Sequence, residues 1–256
     1  MSDTLIKEML DNAVHIWYKR QYWSPKMRDY IHGIQNGIHV FDLYKTVAKL
    51  EEVRAVLANM AENGKEVLIV GTKVQARDLV KELAISTNHH FVIDKWVPGL
   101  LTNFSTLKRR IFTYNKLEKD AETGVLDMLT KKEKAMKMKE LEKLKKAYEG
   151  LKELKRTPDA VFVIDGHYEG LALTEARILK IPSFALLGST WDIDSCTNFI
   201  PCNVNSIKAI KFMLDQLKPT LTRKKIEKPF AAPAATDAAR APRNPNPIKK
   251  DRVQNI

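Results

Sequence analysis

The chain has 256 residues, 44% of them hydrophobic, and 43 Lys and Arg against 31 Asp and Glu give it a net charge of +12. That is enough apolar material for a substantial core, while two cysteines, Cys196 and Cys202, with no histidine beside them, exclude a disulfide framework and a four-ligand zinc site. The charge is concentrated: residues 105–157 hold 16 basic against 9 acidic side chains, residues 218–256 hold 10 against 3, and the rest is near neutral at 17 against 19.

In chain order, residues 2–12 read as a short helix with Leu5, Ile6, Met9 and Leu10 on one side. Residues 43–61 read as a longer one, with Val47, Leu50, Val53, Leu57 and Met60 at helical spacing. The segment between them reads as irregular, and it interleaves Trp17, Tyr18, Tyr22, Trp23 and Tyr30 with Lys19, Arg20, Lys26 and Arg28. Flat rings among cations stack bases and contact phosphates in RNA recognition; the competing reading is that the rings fix a loop onto the body. From residue 66 the pattern becomes a buried strand at 67–70, a Gly71-Thr72-Lys73 turn, a helix over 74–86 and a second strand at 90–93, a βαβ unit. The alternation returns as a strand at 160–164, a helix over 168–179, a strand at 183–187, a short strand near 199–200 and a closing helix over 204–217. Strands alternating with helices predict an α/β fold, a parallel sheet with helices on both faces and right-handed crossovers.

Residues 105–157 split the two halves. Leu107, Ile111, Tyr114 and Leu117 form one narrow apolar stripe, Met138, Leu141, Leu144, Tyr148 and Leu151 another, and Thr130-Lys131-Lys132-Glu133 is a capping box that opens the second helix. Two helices with thin seams and charged outer faces predict a protruding antiparallel coiled-coil hairpin. The expected domains are therefore a discontinuous sheet domain at 1–104 and 158–217, the hairpin at 105–157, and a tail at 218–256. The tail is Ala- and Pro-rich and basic, a composition expected to stay disordered when free.

Charge on two arms attracts a polyanion without helping a fold to form, so nucleic acid is the expected partner and an anionic membrane the weaker alternative. Solvated lysine faces would have the same composition. The tail has no apolar face to insert into lipid, so no membrane partner is expected. No segment approaches 18 apolar residues, and the N-terminus resembles neither a secretory signal nor a transit peptide, so the expectation is the cytoplasm or the interior of an organelle.

Catalytic chemistry is sparse. Neither phosphate-binding glycine motif is present. Gly71-Thr72-Lys73, between a strand and a helix, could hold a lone phosphate or be a plain turn, with Gly71 there for backbone freedom. Asp165 ends a strand at the sheet's carboxyl edge, where α/β enzymes place carboxylates, with no obvious partner in its own loop; Asp192 and Asp194 could join it around a cation or serve as turn and cap residues. His89 and His90 are adjacent and face opposite ways on a strand, which suits a structural role. No catalytic, cofactor-binding or metal-binding set is assigned. The alternative is an α/β nucleotide-binding enzyme using Gly71-Thr72-Lys73 and Asp165.

A series of collinear motifs resembles a known family. Tyr22-Trp23-Ser24-Pro25-Lys26-Met27, Val70-Gly71-Thr72-Lys73, Lys95-Trp96-Val97-Pro98-Gly99-Leu100-Leu101-Thr102-Asn103, Leu129-Thr130-Lys131-Lys132-Glu133, Pro158-Asp159-Ala160-Val161-Phe162-Val163-Ile164-Asp165, Ile181-Pro182 and Ile200-Pro201-Cys202-Asn203 occur in the order and spacing of bacterial-type small-subunit ribosomal protein two. The resemblance implies a flavodoxin-like sheet with a helical hairpin and a structural, non-enzymatic role in the small ribosomal subunit. The implied partners are small-subunit rRNA, neighbouring small-subunit proteins and, as a further candidate, ribosomal protein one, with no homo-oligomer. The sequence departs from the family pattern at Trp96-Val97-Pro98-Gly99, where Trp-Leu-Gly-Gly is usual, and at 188–194, where an Asp-Thr-Asn-Ser-Asp-Pro loop is usual.

Residues and resemblance together give a candidate RNA-binding set. It comprises Lys19, Arg20, Tyr22, Trp23, Lys26 and Arg28 from the aromatic segment, Lys73 from the turn, and Lys95, Trp96 and Asn103 ahead of the hairpin. Lys108, Arg109, Arg110, Lys131, Lys132 and Lys137 come from the hairpin and Arg223, Lys224 and Lys225 from the tail.

Overall fold

In the computed structural model, which describes residues 2–19 and 23–223, the stretch expected to be irregular forms a three-stranded antiparallel sheet. After helix α1 (Ser2–Asp11) come β1 (Ile16–Lys19), a 3-10 turn over Pro25–Tyr30, β2 (Ile31–Gln35) and β3 (Ile38–Phe41), in spatial order β1-β3-β2. Asn36 and Gly37 join β2 to β3 with φ of 51° and 76°. Two consecutive positive φ values match the right-handed twist of a tight hairpin, and Asn-Gly is the pair that adopts them at least cost. Trp17 of β1 and Met27 of the 3-10 turn are buried in the main core, so this small sheet is packed onto the body.

Helix α2 (Leu43–Glu62) starts at Asp42, whose side chain accepts from the Tyr44 amide at 3.0 Å, and buries Leu43, Thr46, Leu50, Val53, Leu57 and Ala61 at helical spacing. The Thr46 hydroxyl donates to the Pro201 carbonyl at 2.9 Å, which ties α2 to the sheet edge.

The main sheet contains β4 (Val67–Val70), β5 (His90–Val92), β6 (Ala160–Ile164), β7 (Ser183–Leu187) and β8 (Asn198–Pro201), all neighbours parallel, in the order β5-β4-β6-β7-β8. This is the flavodoxin-like order, with its reversal between β4 and β6. Every residue of β4, β6 and β7 is buried, as expected of strands covered on both faces. Helices α3 (Arg77–Thr87) and α2 both pack against α7 (Ile207–Leu221), and α6 (Gly170–Ile178) packs against β6 and β7. Helix α3 begins three residues later than expected because Lys73 to Ala76 form a tight turn, closed by the Ala76 amide donating to the Lys73 carbonyl at 2.8 Å.

His89 is buried, accepting at Nδ1 from the Val67 amide at 3.4 Å and bonding the Leu221 carbonyl through Nε2 at 2.7 Å. An N–H donor at one nitrogen and a carbonyl acceptor at the other select the neutral ring with its proton on Nε2, and burial pushes its pKa down to about 4. His90 is held low as well, first by burial.

The inserted helices are α4 (Phe104–Glu122) and α5 (Lys131–Tyr148), and they pack on each other. Thr130 and Glu133 form the expected capping box. Helix α4 buries Leu107, Ile111, Tyr114 and Leu117 as expected. The α5 seam differs: Met138 is 45% exposed, Leu141 and Leu144 are half-buried, and only Tyr148 and the following Leu151 are deep. Leu117 and Leu126 are buried outside the main core, so the outer hairpin has little apolar surface to cover Met138. Helix α7 runs past its expected end at 217 to Leu221 and includes Pro219, which costs one hydrogen bond to the carbonyl four residues back. Residues 218–223, placed with the tail from sequence, thus complete α7 and its exit, and the tail from 224 onward lies outside the described residues.

Candidate nucleic-acid interface

Open α/β sheets bind ligands beyond the carboxyl edge where the strand order reverses, here between β4 and β6. The two loops that start at this point carry Gly71-Thr72-Lys73 and Asp165. They meet each other. The Lys73 ammonium donates to Asp165 Oδ2 at 2.8 Å and to the side-chain carbonyl of Asn205, and lies 5.7 Å from the centre of the Tyr168 ring. Lys73 is 8% exposed and Asp165 6%. Asp165 adopts φ of 73° and accepts at Oδ1 from the His167 amide at 3.1 Å, so it has one partner in its own loop and another across the crevice. Below them the buried Glu169 accepts from the Thr72 amide at 2.7 Å; burial raises its pKa, and the Thr72 hydrogen bonds oppose that. The crevice where an enzyme of this topology would hold a nucleotide is filled by the chain's own ion pair.

Gly71 does not have a positive φ, so the expectation of backbone freedom is corrected: a Cβ there would lie 2.7 Å from Val80 Cγ2, and close packing of α3 on β4 explains the residue.

Asp192 and Asp194 do not join Asp165. The Lys26 ammonium bonds both of them, Asp192 at 2.9 Å, which clasps the 3-10 turn after β1 to the loop after β7. Donating to these carboxylates, to Asp194 first and then to Asp192, raises the pKa of Lys26. Among the described residues no cluster of His, Cys, Asp and Glu could hold a metal ion. In the same loop the Trp191 indole lies over Gly166 and Gly170, where added Cβ atoms would sit 2.7 Å and 2.8 Å from the ring, and a Cβ at Gly188 would strike the Trp17 ring at 1.9 Å.

The loop from Trp96 to Asn103, which delivers the chain into α4, is organised by one carboxylate. Glu175, in α6 and 8% exposed, accepts at Oε1 from the Trp96 indole N–H at 3.0 Å and the Gly99 amide at 2.8 Å. At Oε2 it accepts from the Leu101 and Thr102 amides at 3.0 and 3.2 Å and the Thr102 hydroxyl at 3.3 Å. Burial opposes its ionisation, yet the donors, Trp96 foremost, prevail and hold the carboxyl below its ordinary range.

The hairpin beyond this loop presents the free cations. Lys134 pairs with Asp127, Lys137 with Glu140 at 2.9 Å, Lys146 with Glu142 at 3.6 Å and Lys152 with Glu118 at 2.6 Å. Lys108, Arg109, Lys131 and Lys132 are exposed and have no acidic partner among the described residues.

Comparison with known proteins agrees with this arrangement. The sequence model of the family described as ribosomal protein S2 matches residues 9–223. The chain belongs to the ribosomal protein S2 family. The small ribosomal subunit protein uS2 of Fusobacterium nucleatum subsp. nucleatum is 42% identical to it over 214 residues, 83% of this chain and 87% of that protein. As a family member the chain is a structural constituent of the small ribosomal subunit. Ribosomal protein S2 is a family of structural proteins, not of enzymes, and the nucleotide-binding alternative built on Lys73 and Asp165 is not supported.

For an S2 protein, the candidate RNA-binding residues fall into three groups. Lys95, Asn103, Lys108, Arg109, Arg110, Lys131, Lys132 and Lys137 are exposed around the hairpin, as are Trp23 and Arg28 on the small sheet's side, with Trp23 38% exposed and 5.7 Å from the His39 ring. Lys26, Lys73, Trp96 and Arg223 are engaged within the protein, Arg223 through Glu66 at 3.0 Å and the Gly64 carbonyl. Lys19 lies on β1, and Arg20, Tyr22, Lys224 and Lys225 lie outside the described residues. Sequence reasoning missed Glu175, whose only signal was an acid on the inward side of α6, and Glu169, an acid just before that helix.

Proposed function

We propose that this protein binds small-subunit rRNA chiefly through the exposed cations of the α4–α5 hairpin, with the sheet body as the scaffold that positions them. The observation that carries the reading is the contrast between the crevice lysine and the cations of the inserted helices. The lysine in the ligand crevice is consumed by Asp165, while Lys108, Arg109, Lys131 and Lys132 remain free in solvent. Unpaired exposed cations release counterions from a phosphate backbone; cations already paired with an acid bring less of that gain. The hairpin at 105–157 then acts as the RNA-binding projection of the body formed by 1–104 and 158–217, and the 218–256 segment as a further basic anchor. Neighbouring small-subunit proteins contact the body, and the complex resides in the cytoplasm. No described helix is long and apolar enough to cross a membrane.

Reversing charge with Lys131→Glu and Lys132→Glu is expected to weaken binding of the full chain to small-subunit rRNA. It should also make the slope of log affinity against log salt shallower by about 0.9 for each phosphate that is no longer neutralised. Both lysines are exposed, so thermal stability should hold. Unchanged affinity and slope would make α5 a spacer.

A further inference from the structure

Helix α4 carries an exposed ring that the functional reading does not absorb: Phe112 is 72% exposed, more than any other large hydrophobic on this helix. It lies on the side opposite the stripe of Leu107, Ile111, Tyr114 and Leu117 that α4 buries, so burial of the hairpin does not explain it. At about 100° per residue, Lys108, Arg109, Lys116 and Lys119 project within about 60° of Phe112, and the row runs for about 16 Å along the helix. The nearest acids on the outer side, Asp120 and Glu122, are about 80° away. None of the four cations has an ion-pair partner among the described residues, in contrast to Lys134, Lys137 and Lys146 on α5. A flat apolar ring centred in a row of free cations matches the two faces of an unpaired nucleotide, its base and its phosphate. Duplex RNA offers phosphates but no accessible base face. An acidic protein surface would satisfy the lysines and leave the ring facing polar groups.

We propose that the outer face of α4 is a single-stranded RNA platform, with Phe112 stacking on an unpaired base and Lys108, Arg109, Lys116 and Lys119 holding the flanking phosphates. This rests on the rRNA-binding reading and specifies the element of the rRNA that the hairpin takes.

The test compares the full-length chain and its F112L, F112W and K116Q/K119Q variants, binding a fluorescent single-stranded RNA dodecamer of mixed sequence and the corresponding duplex. Leucine keeps the apolar bulk and removes the ring, so F112L should bind the single strand about 5- to 150-fold more weakly and the duplex unchanged, with F112W near wild type. The single-strand salt slope should be unaltered in F112L and reduced by about 0.7 per cation removed in K116Q/K119Q. Equal single-strand affinity of F112L and wild type would overturn the platform while leaving the rRNA-binding reading intact, provided wild type still binds small-subunit rRNA. Reduced incorporation of F112L into small subunits with RNA affinity unchanged would overturn it in favour of a protein partner. Failure of the wild-type chain to bind small-subunit rRNA at all would overturn the underlying reading as well.

Discussion

Replacing Lys73 by Met is expected to destabilise the protein by about 3–5 kcal/mol, because it strands the Asp165 carboxylate at a buried position. Asp165 would keep only the His167 amide, while Asn205 and the Tyr168 ring would be left without the ammonium they surround. Asp165→Asn should be comparably costly in the opposite sense, leaving a buried ammonium with neutral acceptors alone; asparagine tolerates the φ of 73° at this position, so backbone strain does not confound it. The double variant Lys73→Met with Asp165→Asn should cost clearly less than the two singles together, since neither charge is then left alone. Urea unfolding of the four proteins measures this cycle. Additive losses below about 1 kcal/mol each would mean that the pair is solvated in solution and that the crevice is open.

Glu175→Gln should be nearly as damaging, by about 2–4 kcal/mol, because one carboxylate satisfies five donors that have no other partner among the described residues. The amide would turn its own N–H groups toward at least one of these donors. The effect depends on pH with a definite sign. The folded carboxyl is held below its ordinary 4.5, so its contribution is complete above that value and disappears as pH falls through the lower folded value. The stability gap between wild type and Glu175→Gln should therefore be full at neutral pH and narrow below about pH 4.5. Amide exchange at Gly99, Leu101 and Thr102 should quicken in the variant, since these N–H groups bond directly to the carboxylate. A gap independent of pH would assign the loss to packing instead. The loop feeds directly into α4, so Glu175 fixes where the inserted helices begin.

Local pattern was enough to read the parallel sheet. Strands of unbroken apolar residues at 67–70, 160–164 and 183–187 announce burial on both faces, and all three are fully buried. The small sheet was legible in principle, through Asn36-Gly37, but the density of rings and cations around it reads equally well as a loop. Long-range pairs are a different matter. Lys73 and Asp165 are 92 positions apart and Lys26 and Asp194 are 168 apart, and no period or spacing in the chain brings them together. The same limit applies to the candidate interface. Composition located the basic hairpin, and the i to i+3 spacing of Lys137 and Glu140 marks one neutralised lysine. Lys73 reads as a phosphate ligand by position, and only its buried contact with Asp165 shows where its charge goes.

A constituent of the small ribosomal subunit that binds its RNA should travel with both in the cell. Sucrose-gradient sedimentation of the tagged full-length protein from its native cells, with sequencing of the RNA that co-purifies, tests it most directly. Co-migration with the small subunit and recovery of small-subunit rRNA are expected, both reduced by Lys131→Glu and Lys132→Glu; sedimentation as free protein without that RNA would overturn the assignment of rRNA binding.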